Sequence, residues 1–504
     1  MTVLVAFDPL SSMATIFSPP GRRGRPASPR VSPWIVGAIA LGALSACNSC
    51  RSSDGGSDRA TGGIAHTGGN GGATNDAGRA GSDGSGGAGG TSSAGSGGVI
   101  DGSGGASTSD ASDGATQSGS SEGGRNTEAG GSAEAGPIVI QGAPFTTRAG
   151  LFDATRPADL GLPIAAGTET FTIFRPIDTT DHYGNGVALA AFQGWLYAQW
   201  QSSPVDEDTA DTWTAYSRSQ DGRTWTAPMT LAARSTDERA SGGFWVAGDT
   251  LVAYINVYPT GLTPRGGYVE YTTSTDGLQW SDLKRLPMSD GSPMTGIFEQ
   301  DPHALPGGRI LNAAHFQPGL MVAPIYTDDP SGIAGWTRAP FPSLSNNMLT
   351  TREIEPSSYL RADGALVMVF RDQNSTFRKI ASASADRGAT WTTPVVTDMP
   401  DSRAKQSAGN LPDGTAYLVG NPVTTNTRIP LAVALSHDGK VFDKAFVLRQ
   451  GGADLQAQRY TGRAKTLGYN YPKSMVWNGY LYVGYSTNKE DVEYTRVPLT
   501  SLGN

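Results

Sequence analysis

The chain has 504 residues, 67 of them glycine, and a formal net charge of −8 with 17% charged residues. Binding to nucleic acid is not expected, because contact with phosphates needs clustered Lys and Arg, and no basic run follows the first 30 residues. The only two cysteines, Cys47 and Cys50, lie near the N-terminus, so the sequence predicts no disulfide and no thiolate metal site in the rest of the chain.

Residues 1–46 have the composition of a bacterial export signal. Four arginines between positions 22 and 30 precede an apolar run from Trp34 to Leu44. That run of about eleven residues is too short to cross a bilayer as a helix, which needs about 20 residues, and a basic flank with a short apolar core is typical of a signal peptide. The segment ends in Leu-Ser-Ala-Cys47, which resembles the lipobox of bacterial lipoproteins. This resemblance implies that Cys47 carries a lipid and that the protein is exported and anchored in the cell envelope, at the outer membrane or the cell surface.

Residues 47–137 have the composition of a flexible tether. No Phe, Tyr or Trp occurs between Asn48 and Pro144, where Gly, Ser, Ala, Thr and Asp dominate. Such a segment cannot bury enough apolar surface to offset the conformational entropy lost on folding, so the sequence predicts that it is disordered. A flexible chain of roughly 90 residues has an r.m.s. reach of about 50 Å, which would hold a folded domain clear of a membrane.

From Ile138 onward, the sequence changes to short alternating segments separated by turn residues. Examples are Trp195–Trp200, Leu366–Phe370 and Tyr480–Tyr485. Alternation with a period of two residues predicts β-strands, and helix signals are few. We therefore expect residues 138–504 to form one domain of many antiparallel strands.

One turn motif recurs among these strands, and its spacing indicates the architecture. It joins Ser, Asp and Gly to a closing aromatic residue, in four copies: Ser219-Gln-Asp-Gly-Arg-Thr-Trp225, Ser274-Thr-Asp-Gly-Leu-Gln-Trp280, Ser384-Ala-Asp-Arg-Gly-Ala-Thr-Trp391 and Ser436-His-Asp-Gly-Lys-Val-Phe442. The carboxylate can accept backbone N–H groups of a hairpin turn, the glycine can adopt a positive φ, and the ring can pack on the sheet. The aromatic residues are 55, 111 and 51 residues apart, so a weaker copy is expected where Asp329 to Trp336 lies. This period gives six or seven blades over residues 138–504, and we expect six.

These turns resemble the Asp boxes, or BNR (bacterial neuraminidase) repeats, of the sialidase superfamily. The resemblance implies an all-β fold, a six-bladed sialidase-like β-propeller, in which the Asp residues of the turns are structural and lie on the outer rim. A closed ring also needs its last strand to pair with an early one, because an open sheet edge invites association. We expect the strand near 493–498 to pair with the strand near 170–175.

Four residues match segments that carry the active site in sialidases. Glu355 and Arg371 are sixteen residues apart on either side of a predicted hairpin, Arg428 ends the segment Asn-Pro-Val-Thr-Thr-Asn-Thr-Arg, and Tyr471 lies in Gly-Tyr-Asn-Tyr-Pro. The resemblance implies that Arg371 and Arg428 bind a substrate carboxylate, that Tyr471 attacks the sugar, and that Glu355 takes the phenolic proton. Tyr469 is the alternative nucleophile. Structural roles are also open: Arg371 in a buried ion pair with Glu355, Arg428 on the surface, and Tyr471 in the core.

Two parts of the expected site are less complete. The leaving group would be protonated by a loop aspartate, either Asp206 or Asp208, and Glu207 lies between these two. A polar loop of this kind is also typical of solvated residues. Sialidases place a third arginine in the first blade, and the aligned position here is Asn185. Its absence weakens carboxylate recognition. His182 lies nearby and is a candidate acid or base.

Metal and cofactor binding is not expected. His303 and His315 lie on predicted strands of the third blade, and with His182 they leave an acid–base or metal role open. No metal-binding or phosphate-binding motif accompanies them. We therefore expect neither a metal nor another cofactor.

Three functions from different classes are compatible with the sequence. The first is a glycoside hydrolase of the sialidase type that acts on anionic glycans. The second is a lyase for uronic-acid polysaccharides, in which an arginine would neutralise the uronate and His182 or a tyrosine would remove the C5 proton. The third is a non-catalytic glycan-binding propeller, and fold alone cannot choose among them. In each case the expected partner is a glycan, and the chain is expected to be a monomer.

Overall fold

The computed structural model of the chain describes Ile138, residues 140–347 and residues 350–503. The predicted export signal, the lipid attachment at Cys47 and the predicted tether lie outside these residues, so they remain predictions. Within the described part, no helix has the length and apolar character needed to cross a membrane.

Six antiparallel sheets of the described chain are arranged as propeller blades, each with four strands counted from the inner strand outwards. In blade 3 the inner strand is split into two pieces that pair with the same neighbour. The strands of blades 1 to 3 are, in turn, Tyr183–Phe192, Trp195–Ser203, Trp213–Ser219 and Met229–Ala232; Glu238–Ala247, Thr250–Tyr258, Tyr268–Ser274 and Lys284–Arg285; and Gly296–Phe298 with His303–Ala304, Ile310–Phe316, Met321–Thr327 and Thr337–Arg338.

The remaining blades follow the same order. Those of blades 4 to 6 are Glu353–Leu360, Leu366–Asp372, Arg378–Ser384 and Val395–Pro400; Ser407–Asn410, Ala416–Gly420, Leu431–Ser436 and Lys444–Arg449; and Tyr469–Trp477, Tyr480–Thr487, Asp491–Pro498 and Glu169–Phe174. Minor elements are the parallel pair Thr146–Thr147 and Val441–Phe442, the pair Ser345–Asn347 and Thr350–Thr351, the 3-10 turn Gly452–Asp454 and the short helix Leu499–Leu502. The predicted all-β, six-bladed propeller is confirmed.

Ring closure follows the predicted pairing. Strand Glu169–Phe174 forms the outer edge of blade 6 and pairs antiparallel with Asp491–Pro498. Thr170 lies opposite Thr495, and their hydroxyls are 2.8 Å apart. An early strand and the last strand of the domain thus share one sheet, so blade 6 joins the two ends of the domain and closes the ring.

The recurring turn motif forms the connection between the third and fourth strands of a blade. In the copy of blade 4, Asp386 Oδ1 accepts hydrogen bonds from Ser384 Oγ and from the backbone N–H of Thr390, both at 2.8 Å. Trp391 Nε1 donates to the carbonyl of Gly388 at 3.0 Å, and Gly388 has a φ of 86°. The carboxylate is thus bound within its own turn, which agrees with a structural role.

The predicted weaker copy is also present. Asp329 accepts the backbone N–H of Ser331 at 2.9 Å, and Trp336 Nε1 donates to the carbonyl of Gly332 at 2.9 Å. Trp336 is fully buried and lies edge-to-face with Phe298, with ring centroids 5.6 Å apart. The motif therefore anchors its turn to the apolar core of blade 3.

The direction of the inner strands decides which residues meet. We call the end of the channel at which the inner strands begin the upper end, and the opposite end the lower end. Residues from the final part of the inner strand of every blade line one cavity of about 870 Å³ at the lower end. Side chains at the beginnings of the inner strands correspondingly converge at the upper end.

A buried carboxyl opens the inner strand of blade 4. Glu353 is fully buried, and both of its carboxylate oxygens accept the backbone N–H of Leu344 at 3.1 Å. Burial raises the pKa of Glu353 to about 7 from an ordinary value of 4.5. A group whose pKa rises on folding stabilises the fold in its protonated form. This contribution is complete below the ordinary pKa and is lost as the pH rises through about 7.

We therefore expect Glu353→Gln to become more stable relative to wild type as the pH rises. Between pH 4.5 and 8, the difference in the free energy of unfolding should move in favour of the variant by up to about 3 kcal/mol. Denaturant unfolding at several pH values measures it. Glu169→Gln is a control for which the change of the stability difference with pH should have the opposite sign, because Arg496 lowers the pKa of Glu169. A difference for Glu353→Gln that does not change with pH would contradict this expectation.

Candidate active site

Four inner strands carry a β-bulge near the upper end. The register shifts between the following residues: Asn185 and Ala188 in blade 1, Ser241 and Gly243 in blade 2, Ile354 and Ser357 in blade 4, and Asn470 and Lys473 in blade 6. Bulges re-aim side chains and are over-represented next to active sites. Because four inner strands carry a bulge near the upper end, their side chains there point in directions that a regular strand would not give.

Two of the bulges contain a non-glycine residue in a left-handed backbone conformation. In blades 1 and 2 the positive φ belongs to Gly186 and Gly243, whereas in blades 4 and 6 it belongs to Glu355, at 54°, and Tyr471, at 52°. This conformation costs roughly 1–2 kcal/mol for a residue with a Cβ. Strain of this kind clusters at active sites and ligand clamps. It therefore supports a functional role for both side chains.

Glu355 forms an ion pair with Arg371 from the adjacent strand. One guanidinium nitrogen of Arg371 lies 3.1 Å from Glu355 Oε1 and 3.2 Å from Oε2. The two side chains are only 10% and 16% exposed. Burial alone would lower the pKa of Arg371, but the neighbouring Glu355 and Tyr471 outweigh it and raise that pKa. The pair thus holds a carboxylate and a cation at the upper end.

Tyr471 lies among three further cations. The guanidinium carbon of Arg428 is 4.7 Å from the centroid of the Tyr471 ring, and the ammonium nitrogens of Lys489 and Lys405 are 5.0 and 5.2 Å from it. The side chain of Tyr471 is half-buried, not enclosed in the core. Cations grouped in this way are suited to a ligand that carries negative charge.

The structure brings together the four residues that the sequence singled out. Glu355 and Tyr471 both act electrostatically on Arg371 and on Lys405, and Arg428 packs on the Tyr471 ring. Glu355 and Tyr471 are both described residues, and no direct hydrogen bond between them is present in the structure. Proton transfer between them would need a movement of the side chains or an intervening water molecule.

Arg428 is a buried residue, not a surface one. It is 8% exposed, and its guanidinium donates to Asn470 Oδ1 at 2.5 Å. The backbone of Arg428 bridges Gly468, just before the inner strand of blade 6. Because Tyr471 lies three residues further along the chain, this bridge fixes the guanidinium beside the phenol. Tyr469, the alternative nucleophile, is instead fully buried and donates its hydroxyl to the carbonyl of Gln450 at 2.6 Å.

The three consecutive acids of blade 1 differ in their surroundings. Asp206 accepts the backbone N–H groups of Arg463 and of Ala464, the latter at 2.8 Å, and is only 8% exposed. Its carboxylate thus joins two loops and has a structural role. Asp208 faces Arg265 at 2.5 Å and is 35% exposed. Of the two aspartates, only Asp208 remains accessible for proton transfer.

The third acid of this loop reaches the Tyr471 cluster. Glu207 forms an ion pair with Lys489, whose ammonium lies against the Tyr471 ring. Sequence reasoning placed Glu207 between two candidates without assigning it a role. Its position makes it the loop carboxylate tied most directly to the candidate nucleophile.

Asn185 and His182 lie on the blade 1 side of the channel. Asn185 is buried in its bulge and accepts a hydrogen bond from Ser486 Oγ at 3.1 Å, so it joins blade 1 to blade 6. The His182 ring stacks flat on Tyr460 at 3.8 Å, and its carbonyl accepts Lys465 Nζ at 2.6 Å. These contacts give His182 a packing role and no direct contact with Glu355 or Tyr471.

A second buried network lies behind Glu355. Lys405 forms an ion pair with Glu299, and His315 Nδ1 lies 3.4 Å from the same carboxylate. His315 Nε2 accepts the backbone N–H of Glu355 at 3.0 Å, so the proton belongs on Nδ1, and burial lowers the pKa of His315. Burial would also lower the pKa of Lys405, but Glu299 and Glu355 outweigh it and raise that pKa. This network positions Glu355 and supplies a further cation.

Blade 2 contributes an acid with a shifted pKa. Glu238 opens the inner strand, and Arg265 lies 2.7 Å from its carboxylate. Burial raises the pKa of Glu238 to about 7. Glu238 begins the inner strand of blade 2, Glu299 lies between the two pieces of the inner strand of blade 3, and Lys405 lies just before the inner strand of blade 5. A search for charged residues beside the inner strand of every blade, without reference to the family, is the sequence signal that could have found them.

The lower-end cavity is distinct from this site. None of the four residues Glu355, Arg371, Arg428 and Tyr471 lines it. Among the described residues, no group of three or more His, Cys, Asp or Glu side chains is placed to hold a metal ion. The upper end is therefore identified by its convergent charges and strained backbone, not by volume.

Together, these features define a six-bladed β-propeller with a cationic, tyrosine-containing site at one end. The family described as BNR repeat-like domain matches residues 194–483, more than half of the chain, and the chain belongs to this family. No curated protein matches it in sequence.

Solved structures with a similar fold include sialidases. A protein of unknown function from Dyadobacter fermentans DSM 18053 has a TM-score of 0.52 at 15% identity, covering 66% of this chain and 99% of its own. The Hadza microbial sialidase Hz136 has a TM-score of 0.50 at 15% identity, with coverage of 64% and 67%. A protein described as "Sialidase" has a TM-score of 0.49 at 19% identity and covers 71% of this chain, which spans only 35% of that protein. At 15% identity, the likeness to the first two of these structures is one of fold.

Proposed function

We propose that the protein is an exported glycosidase of the sialidase type that acts on anionic glycans. The observation that carries this proposal is the environment of Tyr471. Its phenol lies in a strained bulge, with three cations 4.7 to 5.2 Å from its ring centroid and the Glu355–Arg371 pair at the same end of the channel. Such a site is suited to a sugar that carries a carboxylate, which Arg428 and Arg371 would bind.

The proposed chemistry follows from the charges. A carboxylate nucleophile would be repelled by an anionic substrate, whereas a neutral phenol is not, and tyrosine nucleophiles are the known exception to the two-carboxylate scheme. The Tyr471 oxygen would bond to the anomeric carbon as the glycosidic bond breaks, and Glu355 would take the phenolic proton. Water would then release the sugar by the reverse sequence.

The departing oxygen needs a proton from a second acid. The sequence offered Asp206 and Asp208 for this role. Because both oxygens of Asp206 accept backbone N–H groups, Asp208 is the better candidate. Its contact with Arg265 at 2.5 Å would have to loosen when substrate binds.

A non-catalytic glycan-binding function is the second candidate. One observation favours it: Glu355 is already paired with Arg371 and makes no direct hydrogen bond to Tyr471. In that case the cations would hold an anionic sugar without cleaving it. The stack of His182 on Tyr460 offers no support for a lyase that uses this histidine as its base.

Product analysis tests the proposal. The full-length protein would be incubated with a fluorogenic sialoside, with sialyllactose and with polygalacturonate. A hydrolase of the proposed type releases a saturated free sugar and the fluorophore. A lyase gives an unsaturated product with ultraviolet absorbance. Binding without any product would contradict the hydrolase proposal and support the second candidate.

We also propose that Cys47 is the lipid attachment point and that the protein is monomeric at the cell envelope. Cys47→Ala should move the protein from the membrane fraction to the soluble fraction, because a lipid chain adds about 0.8 kcal/mol per buried CH₂. Cys50→Ala is the matched control and should fractionate like wild type. If Cys47→Ala stays with the membranes, the anchor is elsewhere.

A further inference from the structure

Lys489 occupies a turn position that normally selects glycine. The turn Thr487 to Glu490 closes with a hydrogen bond from the Glu490 N–H to the Thr487 carbonyl at 3.0 Å. Its two central residues, Asn488 and Lys489, have φ values of 60° and 55°. Positive φ at both positions is the pattern of a type I′ turn, in which Asn-Gly is strongly preferred. A lysine there is strained, and turn geometry gives no reason for it.

The side chain of Lys489 is also buried, which is unusual for a turn lysine. The residue is only 2% exposed, although lysine is almost never fully buried unless it is paired. Its carbonyl accepts the N–H of Gly184 at 3.1 Å, and its ammonium lies 5.9 Å from the Tyr183 ring centroid and 5.0 Å from that of Tyr471. The turn therefore delivers a cation to the junction of blades 1 and 6, beside the candidate nucleophile.

The turn itself is held rigidly. Asn488 exchanges two hydrogen bonds with Gly468: its backbone N–H donates to the Gly468 carbonyl at 2.8 Å, and its Oδ1 accepts the Gly468 N–H at 2.9 Å. Gly468 immediately precedes the inner strand that carries Tyr471. The backbone from which the Lys489 side chain projects is thus fixed relative to the strand that carries Tyr471.

We propose that Lys489 is an anion-binding residue of the candidate site. When an acidic sugar binds, the Lys489 ammonium leaves Glu207 and pairs with the carboxylate of the sugar. This inference rests on the proposed function. The Lys489–Glu207 ion pair supplies a counter-charge when no ligand is bound. Glu207 lies on an accessible loop and is 23% exposed, so it can turn toward solvent when a ligand carboxylate replaces it. Asn185, in the neighbouring bulge, carries no charge, so Lys489 provides the cation on this side of the channel.

Binding of sugar pairs that differ at the carboxylate, one member charged and the other neutral, tests this role. Calorimetry on the full-length protein would compare N-acetylneuraminic acid with its methyl ester, and glucuronic acid with glucose. Loss of one charge-assisted contact weakens binding by about tenfold to a hundredfold. We expect Lys489→Met to cause this loss for the acids and to leave the neutral sugars unchanged, whereas Lys489→Arg should retain most of the affinity. Lys444→Met is the control, because Lys444 begins the outer strand of blade 5 and its Nζ donates to the carbonyl of Leu502 in the short C-terminal helix, away from the site.

Lys489→Gly separates binding from structure. Glycine relieves the strain of the turn, so thermal unfolding of this variant should not be weakened while the affinity for acidic sugars falls as in Lys489→Met. Unchanged affinity in both variants would overturn the inference and leave the proposed function intact. Failure of the wild-type protein to bind any acidic sugar would overturn both.

Discussion

Replacing Tyr471 by phenylalanine is expected to lower the hydrolysis of an anionic glycoside by about a thousandfold or more, as removal of a nucleophile does in other enzymes. The substitution deletes one oxygen and leaves the ring, so its packing against Arg428 and Lys489 is retained. Thermal stability should change little, because the Tyr471 side chain is half-buried and its hydroxyl makes no hydrogen bond within the part of the chain that the structure describes. Steady-state kinetics with a fluorogenic substrate measures the loss.

Tyr469→Phe is the matched control for this prediction. It removes a hydroxyl from the same strand, but that hydroxyl donates to the carbonyl of Gln450 and is enclosed in the core. The control should lower stability by about 1 kcal/mol and leave turnover largely intact. Activity that survives in Tyr471→Phe, or is lost only in Tyr469→Phe, would contradict the assignment of Tyr471.

Breaking the Glu355–Arg371 pair should have the second largest effect, on stability as well as on function. Arg371→Met leaves the Glu355 carboxylate buried without its partner, which typically costs about 3 kcal/mol or more. The double variant Arg371→Met/Glu355→Gln removes both charges and should recover much of that stability. Denaturant unfolding measures both. The double variant should still lack activity, because it has lost the proposed base and one carboxylate-binding cation.

The double-mutant comparison separates two roles of this pair. If the ion pair were purely structural, activity would return along with stability in the double variant. That outcome would contradict the catalytic role of Glu355. Arg156→Met is the surface control, because Arg156 is 57% exposed in its pair with Asp159. It should cost no more than about 1 kcal/mol.

The local sequence pattern was sufficient to predict interactions between residues that lie close together in the chain. The turn motif of Asp386 could be identified because its donors lie within four residues. Glu355 and Arg371 could be paired because they lie on two strands joined by a short hairpin, where Ile354 is opposite Arg371. In both cases the alternation of strands and the length of the turn determine which side chains meet.

The sequence was less informative where a residue has a distant partner. The three acids of the blade 1 loop look alike in sequence, and the structure distinguishes them by their neighbours. Asp206 binds backbone N–H groups 257 and 258 residues away, and Glu207 pairs with Lys489 at a separation of 282 residues. No local pattern carries that information, because it depends on how the closed ring places one loop against another.

The sequence by itself therefore determined the repeat, the number of blades, the strand pair that closes the ring and the four residues of the candidate site. The first three follow from periodicity, turn chemistry and the need to satisfy sheet edges, which are properties of short segments, whereas the four site residues follow from the resemblance of their segments to those of sialidases. Only the tertiary structure decided the charge environment of the site: the Glu299–Lys405 pair spans 106 residues, and Lys489 reaches Tyr471 from a neighbouring turn. The physical reason is that electrostatic interactions depend on distance and burial in space, and ring closure sets both.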